Sequence, residues 1–164
     1  MIESEQRAYG AVFLRMHPTG KAVLSLTEVS QGEEGSLAEL AARELGIPPE
    51  DIKVVHRDED RFGAGHSFRT EPSGAVGENV AATARKLRQR AGLIAAWMLD
   101  AEPDALEWQN GQWSVDGDPE RSVKIQAVAL RAFAGDSLPD GVEGSLDAQT
   151  TYRVAAAEGS GAQR

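Results

Sequence analysis

Apolar residues recur along the chain with two different periods, which separate predicted strands from predicted helices. Residues 11–16 and 22–27 are apolar-rich runs on either side of His17-Pro18-Thr19-Gly20-Lys21, and the proline and glycine between them predict a β-hairpin. Between residues 76 and 98, apolar side chains recur every three or four positions. This spacing predicts a long amphipathic helix that ends near Leu99.

A short helix and a strand are predicted between these two segments. Apolar residues between positions 37 and 45 fall at helical spacing, and Ser36 with Glu39 predicts a capping box at the helix start. Gly46 occupies the position of a left-handed C-terminal cap. Residues 52–56 then alternate like a strand, so the order strand, helix, strand favours a mixed α/β layer.

The second half of the chain predicts another hairpin. Residues 106–109 and 112–115 flank Asn110-Gly111, the pair that best tolerates the positive φ angles of a tight turn. A short helix over residues 125–133 and a strand over residues 146–152 complete an α+β fold. We expect residues 1–154 to form one domain and residues 155–164 to be a disordered tail.

Composition and charge narrow the possible partners. The net charge of −9 opposes nucleic acid binding, and the one dense basic stretch, residues 85–90, has the spacing of a solvated helix face. The chain has no cysteine, so disulfides and cysteine-ligated iron–sulfur clusters are excluded within it. It shows no signal peptide and no apolar run long enough to span a membrane, so the cytoplasm is the expected compartment.

Two glycine-bearing loops are candidates for ligand binding. Residues 30–36 precede the first predicted helix, and residues 62–70 precede the long one. Unpaired N–H groups and the helix dipole favour an anion such as a pyrophosphate at these positions, and glycine lets a ligand approach the backbone. From the residues alone, plain turn geometry is the more common explanation of such glycines.

A series of motifs in a fixed order resembles a known family, the large molybdopterin-binding subunits of aerobic carbon monoxide dehydrogenases and xanthine dehydrogenase-type hydroxylases. The similarity is to the middle of the second molybdenum-binding region. The motifs are His17-Pro18-Thr19-Gly20-Lys21, Gln31-Gly32 with Glu34 in a Gly-Gln-Gly-His-Glu-Thr-type loop, residues 41–52, Val54-Val55-His56, Asp58 with Asp60, and Arg69-Thr70-Glu71-Pro72.

The resemblance implies a cofactor and the residues that would contact it. The implied cofactor is molybdopterin, alone or as a dinucleotide, and the implied contacts are Gln31, Gly32, Arg69 and Thr70. The loop also departs from the family, since Ser30 stands in place of a glycine and Gly35 in place of a threonine. A carboxylate at position 33 or 34 would disfavour a nearby pyrophosphate unless it faced away.

No catalytic residue and no metal ligand is assigned. The family's catalytic glutamate belongs to a glycine-rich loop that has no counterpart here, and His17, His56 and His66 do not form a metal-ligand spacing. Ser67 beside His66 is a poor candidate for a nucleophile and its base, because adjacent side chains of an extended segment point in opposite directions.

The favoured hypothesis is therefore a non-autonomous subunit or fragment of a molybdenum hydroxylase complex. It would be structural or would complete a cofactor pocket jointly with a partner chain, and it would not be an enzyme alone. Other subunits of that complex are the expected partners, with self-association as a second possibility and neither nucleic acid nor membrane expected. The alternative is a free-standing α/β interaction module that binds no cofactor.

Overall fold

Two β-sheets and three α-helices make up the part of the chain that the computed structural model describes, residues 9–27, 32–56, 76–134, 138–142 and 144–153. The larger sheet has the strand order β3-β2-β1-β7 and the smaller one the order β4-β5-β6. The α+β class expected from the sequence is confirmed. The elements are β1 (Tyr9–Met16), β2 (Ala22–Leu26), α1 (Glu34–Leu45), β3 (Ile52–His56), α2 (Val76–Leu99), β4 (Leu106–Gln109), β5 (Gln112–Val115), β6 (Asp118–Lys124), α3 (Ile125–Ala134) and β7 (Leu146–Arg153).

The larger sheet combines antiparallel and parallel pairing. β1 and β2 form the expected hairpin, with Met16 opposite Ala22. β2 and β3 are parallel, with Ala22 opposite Ile52, and α1 connects them as the crossover helix that parallel strands require. On the other side, β7 pairs antiparallel with β1 along its whole length.

The boundaries of α1 differ from the sequence prediction at one end. The helix begins at Glu34, so the capping box predicted from Ser36 and Glu39 is wrong. Glu33 is the N-cap residue, and its carbonyl already accepts a hydrogen bond from Leu37 N at 3.0 Å, which starts the helix earlier. The other end is confirmed, because Gly46 has a φ of 69° and donates its N–H to the Ala42 carbonyl.

The long helix α2 covers one face of the larger sheet, as its apolar stripe predicts. Val80, Leu87 and Ile94 are completely buried in the core between helix and sheet. The chain's few aromatic residues leave this core to be filled mainly by Ala, Val and Leu. Such side chains pack closely, because each has few rotamers and no polar atom.

The basic residues of α2 lie on its partly exposed face, as their spacing predicts, and they also contact neighbouring elements. Arg85 and Arg88 each place a guanidinium nitrogen 3.1 Å from the Glu44 carboxylate on α1. Arg90 donates to the Asp147 carbonyl of β7 at 2.9 Å, and Lys86 donates to a neighbouring β7 carbonyl. The spacing of these residues indicates an exposed helix face, but it does not indicate their contacts with α1 and β7.

The smaller sheet is built on the tight turn predicted at Asn110-Gly111. These residues have φ angles of 51° and 83°, and the turn brings Trp108 opposite Trp113 with ring centroids 4.5 Å apart. β6 was not predicted. Nearly all of its residues are exposed, so no alternation of apolar and polar positions marks it as a strand.

Several sequence predictions lie outside the described residues. These are the loop over residues 58–72 and the tail over residues 155–164. The proposed domain limit at residue 154 also lies outside the described residues. Within the described ranges, no helix has the length and apolar character needed to cross a membrane.

Candidate functional site

Two helices begin at the same edge of the larger sheet. α1 follows the carboxyl end of β2, and α2 follows that of β3, which lies parallel to β2. The helices run in the same direction, since Leu40 of α1 lies beside Gly77 early in α2, and Glu44 contacts Arg88 further along. Ligands of α/β proteins commonly bind at such an edge, where helix N-termini attract anions.

The start of α1 has an open, uncapped geometry. Gly32 has a φ of 87°, a conformation that an L side chain rarely adopts. Glu33 follows as the N-cap residue, with a φ of −95° and no side-chain hydrogen bond to the helix. An α-helix leaves its first N–H groups without intrahelical partners, and the Glu33 side chain does not accept from them here.

Space is available around this terminus. A Cβ atom added at Gly32 or at Gly35 would meet no atom within 4 Å. Beside it lies a cleft of about 520 Å³, bounded by the first turns of α1 and by β3. Its lining residues are Glu34, Gly35, Ala38, Glu39, Pro49, Glu50, Ile52 and Val54. The opening can therefore admit a ligand close to the backbone.

Acidic side chains surround the same opening. Glu33 and Glu34 lie at the helix start, and Glu50 lies on the far wall of the cleft. One carboxylate oxygen of Glu33, Oε1, is buried and has no hydrogen-bond partner among the described residues. Glu34 and Glu50 thus line the cleft, whereas the unsatisfied oxygen of Glu33 is buried beside the helix start.

Only one of the four implied cofactor contacts can be placed. Gly32 lies at the opening, whereas Gln31, Arg69 and Thr70 lie outside the described residues, together with His66 and Ser67. The ends of β2 and β3 show where these segments attach. Gln31 directly precedes Gly32, and Arg69 and Thr70 belong to the connection from β3 to α2, so both loops leave the same sheet edge.

In the described part of the chain, no three His, Cys, Asp or Glu side chains are grouped so that they could hold an ion. His17 lies in the first hairpin, where its backbone N–H donates to the Lys21 carbonyl at 2.8 Å.

A second cleft, of about 330 Å³, lies between α2 and the smaller sheet. Trp108 and Trp113 form one side of it, and Gly92 and Leu93 form the other. Trp113 is only 5% exposed. No local pattern in the sequence indicates this cleft, because the approach of α2 to the hairpin depends on tertiary contacts.

Comparison with known proteins identifies the family. Residues 2–164 match the family described as a molybdopterin cofactor-binding domain. The chain belongs to this family. It is 33% identical over 144 residues to the carbon monoxide dehydrogenase large chain of Afipia carboxidovorans, a match that covers 85% of this chain and 17% of the relative. The 6-hydroxypseudooxynicotine dehydrogenase complex subunit gamma of Paenarthrobacter nicotinovorans is 30% identical over 127 residues, covering 77% of this chain and 16% of that one.

Solved structures show the same relationship in three dimensions. The reconstituted CO dehydrogenase from Oligotropha carboxidovorans superposes with a TM-score of 0.78 at 31% identity, over 88% of this chain and 18% of that one. Quinoline 2-oxidoreductase from Pseudomonas putida 86 gives a TM-score of 0.73 at 25% identity, over 88% and 19% of the two chains. The family resemblance seen in the sequence is confirmed, and molybdopterin is the cofactor of the family. The chain spans about a sixth of the length of the relatives it matches.

Proposed function

We propose that this chain forms one wall of the molybdopterin pocket of a molybdenum hydroxylase and that another polypeptide completes the pocket. The observation that supports this proposal most directly is the open space at Gly32 and Gly35, around the N-terminus of α1, in a chain of the molybdopterin-binding family. Gln31 and Gly32 would contact the cofactor from one loop, and Arg69 and Thr70 from the other. The bound molybdenum centre would supply the redox chemistry.

Joint binding follows from the size of the relatives and from the exposed surface. This chain aligns with only 17% of a carbon monoxide dehydrogenase large chain, so most of that relative lies outside the aligned region. Leu93 and Trp97, one turn apart on α2, are 45% and 37% exposed. Large apolar side chains side by side on a helix favour contact with a partner. Other subunits of a molybdenum hydroxylase complex are the proposed partner, and no residue of this chain is proposed as catalytic.

Three finer points belong to the same proposal. The cofactor would be bound as a dinucleotide, because a pyrophosphate suits a helix N-terminus. The chain would fold as one domain up to residue 154 and work in the cytoplasm. Mass spectrometry of the released cofactor, limited proteolysis and cell fractionation test these points in turn.

The experiment for the main proposal uses a matched pair of glycine variants. Gly32 and Gly117 both have positive φ, 87° and 84°, and both have open space where a Cβ would lie. Gly32→Ala and Gly117→Ala therefore introduce similar backbone strain, but only Gly32 lies at the opening. The chain is purified with the polypeptides that accompany it, and molybdenum and pterin are measured per mole of chain.

We expect Gly32→Ala to lower the molybdenum content severalfold while Gly117→Ala leaves it unchanged. Gln31→Ala and Arg69→Ala should lower it as well. Equal molybdenum in Gly32→Ala and wild type would exclude the pocket at α1. A wild-type chain that copurifies with no partner and no molybdenum would reject the proposal as a whole.

The acidic side chains favour one alternative, an interaction module of the family that no longer binds cofactor. Glu34, Glu39 and Glu50 line the cleft beside the opening, where their charge opposes a pyrophosphate. This alternative predicts a monodisperse chain without molybdenum that unfolds in a single cooperative transition. The same purification therefore separates the two functions.

A further inference from the structure

The cleft between α2 and the smaller sheet contains a hydrogen-bond donor that no described residue satisfies. Trp113 lines this cleft and is only 5% exposed. None of the described residues accepts a hydrogen bond from its indole Nε1, which stays accessible to solvent. A buried indole N–H usually has a hydrogen-bond partner. The acceptor for this N–H therefore comes from solvent or from a ligand that occupies the cleft.

Gly92 keeps the space beside this donor open. A Cβ atom at Gly92 would lie 3.3 Å from the Trp113 Nε1 and 3.7 Å from Cε2, so the N–H edge of the indole ring faces the glycine. Gly92 itself lines the cleft from the α2 side. Glycine is unfavourable inside a helix, because it loses more backbone freedom than alanine on folding. Its presence in α2 leaves room next to the donor that any other residue would occupy.

Arg88 is the one charged residue among those that line the cleft. Its Nη1 donates to the Glu44 carbonyl at 2.8 Å and to the Glu44 carboxylate at 3.1 Å. These bonds hold the guanidinium 5.1 Å from the centroid of the Trp108 ring. Within the described part of the chain, nothing accepts from its Nε or Nη2. Glu44 also pairs with Arg85, so the Glu44 charge is shared and does not cancel that of Arg88.

We infer that this cleft is a binding site for a small aromatic carboxylate. Trp108, Leu106 and Pro103 offer apolar surface to a ring. The carboxylate accepts hydrogen bonds from the free side of the Arg88 guanidinium, which suits a carboxylate in paired geometry, and from the Trp113 N–H. No acidic side chain is among the residues that line the cleft, so none repels the anion there. The volume of about 330 Å³ suits a ligand of one or two rings.

The site is distinct from the proposed cofactor pocket. That pocket opens where α1 and α2 begin, whereas the cleft starts at Arg88, further along α2. At about 1.5 Å per residue, Arg88 lies roughly 16 Å along the helix axis from Gly77. The inference therefore does not depend on the proposed function, because molybdenum content and carboxylate binding are measured separately.

The test is calorimetric titration of the full chain, together with any polypeptide that copurifies with it, using benzoate as the probe. Benzamide has the same ring without the charge, and cyclohexanecarboxylate has the charge without the aromatic ring. We expect benzoate to bind with a dissociation constant of about 0.1–1 mM, as a ligand of this size allows. Each of the two analogues should bind about fivefold more weakly or less.

One pair of variants tests the charge. Arg88→Met keeps a long apolar side chain beside Trp108 and removes the guanidinium. Arg85→Met is the matched control, because Arg85 also binds Glu44 but does not line the cleft. We expect Arg88→Met to weaken benzoate binding about tenfold or more and to abolish the preference for benzoate over benzamide. Arg85→Met should keep the preference and lose no more than about threefold in affinity, since its charge is half-exposed and screened by solvent.

A second set of variants tests the donor and the space beside it. Gly92→Ala fills the space next to Nε1, whereas Gly77→Ala changes a glycine of the same helix whose Cβ would meet only the Leu40 side chain, at 3.4 Å. Trp113→Phe keeps an aromatic ring and removes the N–H. We expect Gly92→Ala and Trp113→Phe each to weaken benzoate binding about fivefold or more, and Gly77→Ala to bind as wild type does. Thermal melting of each variant shows that it is folded before titration.

Several outcomes would overturn the site. Wild type that binds no benzoate, or binds benzamide equally well, leaves no role for Arg88. Equal losses in Arg88→Met and Arg85→Met would mean that the anion responds to general charge and not to this cleft. Wild-type affinity in both Gly92→Ala and Arg88→Met would place the ligand elsewhere on the chain.

Discussion

The contact between Gly46 and Gly111 offers a direct test of how the smaller sheet is held against α1. Gly46 ends α1, and Gly111 forms the tip of the hairpin between β4 and β5. A Cβ atom at Gly46 would lie 2.2 Å from the Gly111 nitrogen and 2.3 Å from its Cα. Both neighbours are backbone atoms, so Gly46→Ala can be accommodated only if the hairpin moves.

The expected magnitude has two parts. Placing alanine in the left-handed region costs about 1 kcal/mol. Forcing extra volume into a packed contact adds about 1–3 kcal/mol. Gly117→Ala is the matched control, because its φ of 84° carries the first cost while its open surroundings avoid the second. We therefore expect losses of about 3 kcal/mol for Gly46→Ala and about 1 kcal/mol for Gly117→Ala.

Urea unfolding, followed by tryptophan fluorescence, measures both variants. Trp108 and Trp113 lie in the displaced hairpin and report its position. A loss of 3 kcal/mol lowers the melting temperature of a chain of this size by roughly 10 °C. The comparison is valid if the slope of unfolding free energy against urea is the same in both variants and wild type.

Equal losses in the two variants would refute the reasoning. They would mean that the hairpin tip does not press on the end of α1 in solution and that only backbone strain is measured. A larger loss for Gly117→Ala would be a still clearer contradiction.

Three further substitutions test other contacts. Glu44→Gln removes the ion pair with Arg88 between α1 and α2 and should cost about 1 kcal/mol in urea unfolding, an effect that diminishes in 1 M salt. Thr83→Val removes the 2.7 Å hydrogen bond between the buried Thr83 hydroxyl and Thr150 of β7, and should cost about 1 kcal/mol by the same assay. Trp113→Ala removes a side chain that is 5% exposed and should lower the unfolding free energy by about 3–5 kcal/mol. The helix content measured by circular dichroism at low temperature should not change. An unchanged midpoint in any of these would contradict the corresponding contact.

Elements with a strong local signal were predictable from the sequence. The three-to-four spacing of α2 reflects burial along one stripe, and the Asn110-Gly111 pair reflects a positive-φ requirement that few other residues meet. Each signal is contained within a few adjacent residues. For the same reason, the left-handed end of α1 at Gly46 was predicted correctly.

Features that depend on distant residues were not predictable. β6 has mostly exposed side chains, so its place in the sheet depends on backbone pairing with β5 and not on a pattern of its own. The start of α1 was misplaced, because a backbone hydrogen bond to Glu33 replaces the side-chain cap that Ser36 suggested. The orphaned oxygen of Glu33 is likewise a tertiary property.

For the candidate site, the sequence indicated a glycine-bearing loop before a helix but not the charges around that loop. Gly32 was chosen by resemblance and lies at the opening. The residues that give the cleft its charge, Glu34, Glu39 and Glu50, come together only because the β2–α1–β3 crossover brings the helix start beside β3. No spacing rule joins positions so far apart.

The pairing of β1 with β7 has a consequence for how the molecule is made. Tyr9 lies opposite Arg153, so the larger sheet is complete only when β1 pairs with β7, and these strands lie near the two ends of the described residues. During synthesis the ribosome must release residues 9–153 before this pairing is complete, and closing so large a loop slows folding. Until then the free edge of β1 is exposed to other strands, and this nascent stage is the point at which a chaperone would protect the chain from aggregation.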